Sequence, residues 1–288
     1  MNPITIQCVY GQDHCRHIEE CLIPGLSRST TRPIRLITIN YDPLSPDRIS
    51  SGTRHGIEVH DIRNDSHEIT GLAKNHNTLF TRSNPKDYFV IIAPSCIPHK
   101  GCVELLIDRK LKEEGPIGIL EGRQWPYQYS KEYDPQSLHT PWASRNFALI
   151  DAKFYRSVGG MDEMYFMGLE DIDLSWQAWL NGYSVLHEPT SVISYFSGAK
   201  SHRKDILTLE QLLTLRNYII IMKKFFGNNG EEKAINMIKD LQDPELEEAV
   251  ICEYETTFKN LIIEKYQNIT HKLVKMIDIL ELITPRNL

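Results

Sequence analysis

No stretch of this sequence approaches the roughly eighteen consecutive apolar residues of a membrane-crossing helix. Met1 to Gly11 also lacks the charged-then-apolar pattern of a secretory leader. The expectation is a cytoplasmic protein, at most peripheral at the inner face of a membrane. Asn64-Asp65-Ser66 and Asn268-Ile269-Thr270 match the glycosylation pattern, but without a secretory route they are read as silent. There is no excess of positive charge: 32 Lys and Arg against 38 Asp and Glu give a net charge of -6, so nucleic acid is not an expected partner. Cysteine is sparse, with six residues and no Cys-x-x-Cys pair, which excludes a disulfide framework in a chain of this length. His14, Cys15, His17 and Cys21 lie close together on a predicted first helix, yet their spacing supports no zinc site, and free thiols are expected.

What is present suits one large α/β domain with an appendage. The chain has 288 residues, 41% of them hydrophobic and 24% charged, enough to bury a full core. Apolar runs at Ile4–Tyr10, Pro33–Asn40, Ile57–His60, Asp87–Ile92 and Pro116–Glu121 read as strands. Helical segments are predicted over His14–Leu22, Ile69–Thr81 and from about Gly101. This alternation argues for a mainly parallel sheet flanked by helices. Ligands of such sheets sit outside the carboxyl ends of the strands, which directs attention to Tyr10 and Gly11, to Asn40 through Asp42, and to Ala93, Pro94 and Ser95.

The densest polar chemistry lies between Gly159 and Pro189. Gly159-Gly160-Met161-Asp162-Glu163 precedes Tyr165-Phe166, then Glu170-Asp171-Ile172-Asp173-Leu174, and Gly182-Tyr183. Ile172, Trp176 and Trp179 recur at helical spacing, so a helix over Leu169–Leu180 buries one stripe and stops at Gly182. Glu170, Asp171 and Asp173 then fall in its first turn, where the free amides and the helix dipole favour anions. Acidic residues are common there for that reason alone. The paired glycines allow a sharp turn, and a carboxylate held at the rim of a cleft can accept a proton from a hydroxyl.

This ordered run resembles the C-terminal catalytic segment of family-2 glycosyltransferases of the GT-A fold, closest to the bacterial, rhamnosyltransferase-like members that build surface polysaccharides. The resemblance implies transfer of a sugar, with inversion, from a nucleotide-diphosphate sugar to an acceptor hydroxyl, with Asp171 as general base and Glu170 beside it. It places the donor at Tyr10, Gly11, Asn40 or Asp42, and Ala93-Pro94-Ser95. Gly71-Leu72-Ala73-Lys74-Asn75-His76-Asn77 is similar to a family segment Gly-x-Ala-x-x-x-Asn, which adds Lys74 and Asn77 as donor contacts, although a cap or turn role for Asn77 stands beside this. Trp142-Ala143-Ser144-Arg145-Asn146 and its following strand resemble the segment ahead of the paired glycines. Trp142 and Arg145, with Asp162 and Glu163, are then expected on the acceptor side. The aromatic stretch Gly122–Pro141 is read as an irregular acceptor-side loop.

The departure from the family lies at the metal. Its relatives carry an Asp-x-Asp-like motif where this chain has Ala93-Pro94-Ser95, and a histidine near Ser194 to Phe196 where it has Tyr195. Hard cations want anionic oxygens, and Ser95 is a poor substitute, so no metal ligand is assigned. Lys200-Ser201-His202-Arg203-Lys204 falls in the loop that closes over the diphosphate in relatives, and His202, Arg203 and Lys204 are candidates to neutralise it. Arg216 is a further candidate. A helix over Ile206–Phe226 stops at Gly227-Asn228-Asn229-Gly230, and a mostly helical tail covers Glu231–Asp240 and Pro244 to about Ile283. Residues 1–227 are read as the glycosyltransferase domain and 228–288 as a helical extension whose apolar stripe packs on the domain or on a second copy. The partners expected are a nucleotide-sugar donor and a saccharide or lipid-linked saccharide acceptor. The competing reading is a binding or assembly subunit that kept the fold and lost turnover.

Overall fold

A computed structural model describes residues 3–129, 131–195, 209–258, 260, 266, 270–279 and 285–287. Strand β1 (Ile4–Tyr10) is buried along its whole length, as expected of a central strand covered on both faces. β2 (Ile34–Asn40) and β5 (Tyr88–Ile92) pair with it in parallel on either side. β4 (Ile57–Ile62) continues the parallel set, and a three-residue β3 (Gly52–Arg54) closes that edge antiparallel. On the other side lie β8 (Phe147–Asp151), β7 (Ile117–Tyr129), β9 (Ser184–Tyr195) and β6 (Cys96–Pro98), in the order β5-β8-β7-β9-β6. β10 (Pro285–Asn287) adds to β7.

Alternation along the strands sorts two cores. Val90 and Ile92 point to the face covered by the Gln12–Leu26 helical stretch and by α4 (Cys102–Lys112), with Ile18, Leu22, Val103 and Leu106 packed there. Phe89 and Ile91 point to the opposite face, against α5 (Ala152–Val158), α6 (Glu170–Leu180) and Ala73 of α3 (Leu72–Ser83). Trp176 of α6 is fully buried in a third cluster, among residues of α7 (Leu209–Lys239) and α8 (Pro244–Thr257). Truncating such a tryptophan costs about 3–5 kcal/mol.

Several elements differ from the sequence reading. The predicted first helix is broken into α1 (Cys15–His17), a π-helical Ile18–Leu22 and α2 (Ile23–Leu26), and it continues through Pro24 because that proline sits in the first turn of the last piece. The stretch Gly122–Tyr129, expected to be irregular, continues β7, because Val192–Tyr195 of β9 supply a parallel partner past a bulge at Gly122/Arg123. Gly227 does interrupt α7, with φ 65° and ψ -154°, but helix resumes at once. In the expected helical tail α8 ends at Thr257. Residues 270–278 lie non-helical over α6 and α7, with His271 stacked on Trp179 at 4.9 Å and the Ile277 carbonyl accepting from Tyr218 Oη at 2.7 Å.

The antiparallel β8 has the largest consequence for function. Because it runs against β5 and β7, the residues just before it, Trp142 to Asn146, lie at the carboxyl ends of the parallel strands. The Ala93 N–H donates to the Asn146 carbonyl at 2.9 Å, which ties that segment to the mouth of β5.

Candidate active site

α6 begins at that same mouth. Gly168 and Leu169 both take left-handed backbone (φ 88° and 67°), which turns the chain sharply into the helix. A leucine at positive φ costs of order 1 kcal/mol, and such residues mark places where tertiary contacts over-determine the backbone. Asn217 holds the turn by donating from Nδ2 to the carbonyls of Met167 (2.8 Å) and Gly168 (2.7 Å). Nothing in the local sequence signals this strained leucine.

Glu170, Asp171, Arg145 and Trp142 meet in one cleft, with Tyr129, Asn146, Tyr195 and Thr214 also on its wall. The Asp171 carboxylate is half-buried, and its Oδ2 accepts from the Arg145 N–H at 3.1 Å while Oδ1 accepts from Ile172 N–H at 3.0 Å. Burial, and then the neighbouring Glu170 carboxylate, push its pKa up to about 6, with Arg145 opposing. Glu170 is fully buried: Oε1 accepts from Arg145 Nε, and Oε2 has no partner. Asp171 therefore keeps a face toward the cleft while Glu170 holds the guanidinium.

A second buried network braces the cleft from behind. Glu121, fully buried on β7, pairs with Lys131 Nζ at 2.5 Å and accepts from Ser144 N–H at 2.8 Å. Lys131 also donates to the Trp142 carbonyl at 3.0 Å and lies 4.2 Å from the centre of its ring. The lysine holds Glu121 below the usual carboxylate range despite burial, while burial lowers Lys131 itself. Glu121 ends an expected strand and Lys131 lies ten residues on, in the stretch expected to be irregular, so their pairing did not stand out in the sequence.

The remaining expected site residues lie elsewhere. Asp162 and Glu163 do not line this cleft: Asp162 pairs with Lys224 Nζ at 2.6 Å, and Glu163 accepts from Asn77 Nδ2 at 3.0 Å. Asn77 has no capacity left for a donor. Its amide donates to Glu163 and to the Met161 carbonyl, and its oxygen accepts from Tyr155 Oη and Met161 N–H, which uses every bond an amide side chain makes. A Cβ on Gly160 would stand 2.3 Å from that oxygen, and one on Gly71 would stand 2.7 Å from the Phe166 carbonyl oxygen. The Gly71–Asn77 segment thus clasps the loop that precedes α6, which corrects the donor contact expected of the Asn77 side chain. Lys74 is exposed and borders a separate cleft with Arg63, Thr78 and Arg82.

At the ends of β1 and β2 the side chains also turn inward. Tyr10 is fully buried, donating to Asp61 Oδ1 at 2.9 Å and accepting from Ile49 N–H at 3.1 Å, so its side chain is not open to a donor. Gly11 lies under the Tyr41 ring, and a Cβ there would be 2.3 Å from Tyr41 Oη. Asn40 is buried, bonded to the Asp47 carbonyl and to Asp42 N–H; Asp42 accepts from Leu44 N–H. Ala93 is buried, and Pro94 and Ser95 are partly exposed between β5 and β6. Arg216 is committed to Glu253 and Asn217. His202, Arg203 and Lys204 lie outside the described residues.

No protein-family model and no curated protein matches the sequence. The fold is that of the GT-A-type glycosyltransferases. The chain is similar to a structure of GalNAc-T7 with UDP, GalNAc and Mn2+ (13% identity, 78% of this chain and 48% of that one, TM-score 0.54). It is also similar to the mannosyltransferase PcManGT of Pyrobaculum calidifontis with GDP-Man and Mn2+ (13%, 89% and 70%, TM-score 0.53), and to S. aureus TarS (9%, 88% and 43%, TM-score 0.52). The chain spans about half the length of the GalNAc-T7 and TarS chains it matches. At these identities the likeness carries the fold.

Two of those structures contain Mn2+. The donor set at the mouth of β5 in this chain does not fit such an ion: Ala93, Pro94 and Ser95 supply one neutral hydroxyl, and the cleft that shares Asn146 with this mouth carries the positive charge of Arg145. Among the described residues no group of three or more His, Cys, Asp or Glu is gathered to hold a metal. Among the described residues, too, no helix is long and apolar enough to cross a membrane.

Proposed function

We propose that this chain is an inverting glycosyltransferase that uses a nucleotide-sugar donor and a saccharide-type acceptor, free or lipid-linked, in surface polysaccharide or glycoconjugate synthesis. The supporting observation is Asp171: a half-buried carboxylate with no ion-pair partner of its own among the described residues, at a cleft on the carboxyl side of the sheet, with a pKa raised to about 6. That value suits a base that must be ionised at neutral pH yet basic enough to take a hydroxyl proton. In the proposed reaction the acceptor oxygen attacks the anomeric carbon from the face opposite the diphosphate. Its proton passes to Asp171, and the bond from the anomeric carbon to the diphosphate oxygen breaks.

The catalytic unit is assigned to residues 1–227 and the extension to 228–288, with the bacterial rhamnosyltransferase-like members as the proposed kin and a cytoplasmic, at most membrane-peripheral, setting. Homodimerisation through the C-terminal helices belongs to the same proposal. The poor fit to a divalent cation favours a second reading, a binding or assembly subunit that kept the fold and lost turnover. Titration with UDP and GDP, followed by release of nucleotide from a panel of UDP- and GDP-sugars with and without acceptor saccharides, separates the two. Turnover that disappears in Asp171→Asn supports the enzyme. Nucleotide binding without turnover supports a binding subunit, and no binding at all removes the enzyme and leaves an assembly subunit.

A further inference from the structure

Arg145 is the only cationic residue on the wall of the Asp171 cleft among the described residues. Its side chain is 22% exposed and its Nε is spent on Glu170. Neither Nη1 nor Nη2 makes a hydrogen bond to any described residue. Its backbone is anchored as well, through its own N–H to Asp171 and through the neighbouring Asn146 carbonyl to Ala93 at the mouth of β5. The result is a guanidinium held through Nε, with two donor groups that no described residue takes, in a cleft whose Asn146 wall is tied to Ala93 at the carboxyl end of β5, where an open α/β sheet receives its ligands. Sequence reading set Arg145 on the acceptor side and looked to the 202–204 loop for positive charge.

We propose that Arg145 takes the place of a divalent cation by binding the donor's diphosphate through Nη1 and Nη2, with buried Glu170 as the group that positions it. This rests on the glycosyl-transfer reading. A guanidinium matches two phosphate oxygens at once and stays charged at any working pH, so it can hold the negative charge that develops as the sugar–diphosphate bond breaks. Glu170 balances that charge in the empty cleft. Nε stays on Oε1, which leaves Nη1 and Nη2 for the anion, and Oε2 has no partner among the described residues.

The test is calorimetric titration of the full chain with UDP, GDP, UMP and GMP, each in EDTA and in Mn2+. The expected result is a wild-type affinity for the preferred nucleoside diphosphate that agrees in the two buffers within about twofold. Arg145→Met lowers that affinity at least about tenfold, Arg145→Lys lowers it less, and the monophosphate changes by no more than about threefold in either variant. Because Arg145→Met leaves Glu170 charged and buried, the double variant Arg145→Met/Glu170→Gln, checked for folding by thermal melting, is titrated alongside. Wild-type diphosphate affinity in the folded double variant overturns the proposal, and so does wild-type binding that requires Mn2+. Equal losses for mono- and diphosphate overturn it too, by placing Arg145 on another part of the nucleotide or on the sugar. EDTA-resistant binding that ignores Arg145 sinks this proposal alone, whereas no nucleotide binding in either buffer takes the glycosyl-transfer reading down with it.

Discussion

Arg145 with Glu170 and Asp171, and Lys224 with Asp162 and Asp173, are clusters of the same formal charge whose carboxylates share the first turn of α6 and the loop before it. Their surroundings separate them. Asp173 is fully buried and saturated, with Lys224 Nζ at 2.6 Å, Tyr165 Oη at 3.0 Å and the Gln177 amide as partners. Lys224 also takes Asp162, which stitches the loop before α6 to α7, and those two carboxylates hold its pKa above the ordinary lysine range against the effect of burial. In the other cluster Asp171 lines an open cleft, and among the described residues one Glu170 oxygen and two Arg145 donor groups find no partner. Acidic residues two positions apart on one helix thus divide between a sealed brace and an open site, and unspent hydrogen-bonding capacity distinguishes them.

The largest effect that would sharpen this contrast is expected from Asp171→Asn. Loss of a general base lowers turnover by about 10²–10⁴-fold, measured as nucleotide release at saturating donor, while nucleotide affinity stays within a few-fold. The melting temperature should hold or rise. The folded-state pKa of Asp171 is raised, so its ionised form opposes folding above pH 6, and asparagine mimics the neutral form. Turnover unchanged by Asp171→Asn would remove the base.

Lys224→Met should show the opposite pattern. Two buried or half-buried carboxylates lose their cation, and breaking such a group costs about 3–5 kcal/mol. Urea denaturation would measure that loss, with nucleotide affinity of the folded fraction unchanged; altered affinity at unchanged stability would erase the distinction between the clusters.

A smaller difference is expected between adjacent glycines. Gly159→Ala pays only for its left-handed backbone, of order 1 kcal/mol, because a Cβ there meets open space. Gly160→Ala pays that and also displaces Asn77 Oδ1, so it should lose about 1–3 kcal/mol more by the same denaturation measurement. Equal losses would mean that Asn77 does not lock the loop.

The most graded test is pH. The ratio kcat/KM should fall about tenfold per unit below pH 6 as Asp171 takes up a proton, and level off above it. Any enzyme in which Asp171 is not the base lacks that limb. Residual turnover of Asp171→Asn is expected to lack it as well.

The strands and the α6 helix were legible because their signals are local. The apolar runs at Ile4–Tyr10 and Tyr88–Ile92, the helical stripe Ile172-Trp176-Trp179 and the paired glycines each follow from neighbouring side chains and allowed backbone angles. The roles of polar residues were not local. The segment Gly71–Asn77 looked like a ligand contact, but the Asn77 side chain and the Leu72 N–H are taken up by a loop 84–94 positions further along the chain. The strand beyond Gly122 was invisible because its partner, Val192–Tyr195, is about 70 residues away and the stretch carries no alternation of its own.

By itself the order of residues determined a mainly parallel α/β sheet and the position of Glu170 and Asp171 in a first helical turn, since propensity, periodicity and turn chemistry act over a few residues. Only the tertiary structure decided which acids stay open. That choice depends on where distant cations arrive: Lys224 from α7 closes over Asp162 and Asp173, while the reversed strand β8 delivers Arg145 to Glu170 and leaves Asp171 facing the cleft.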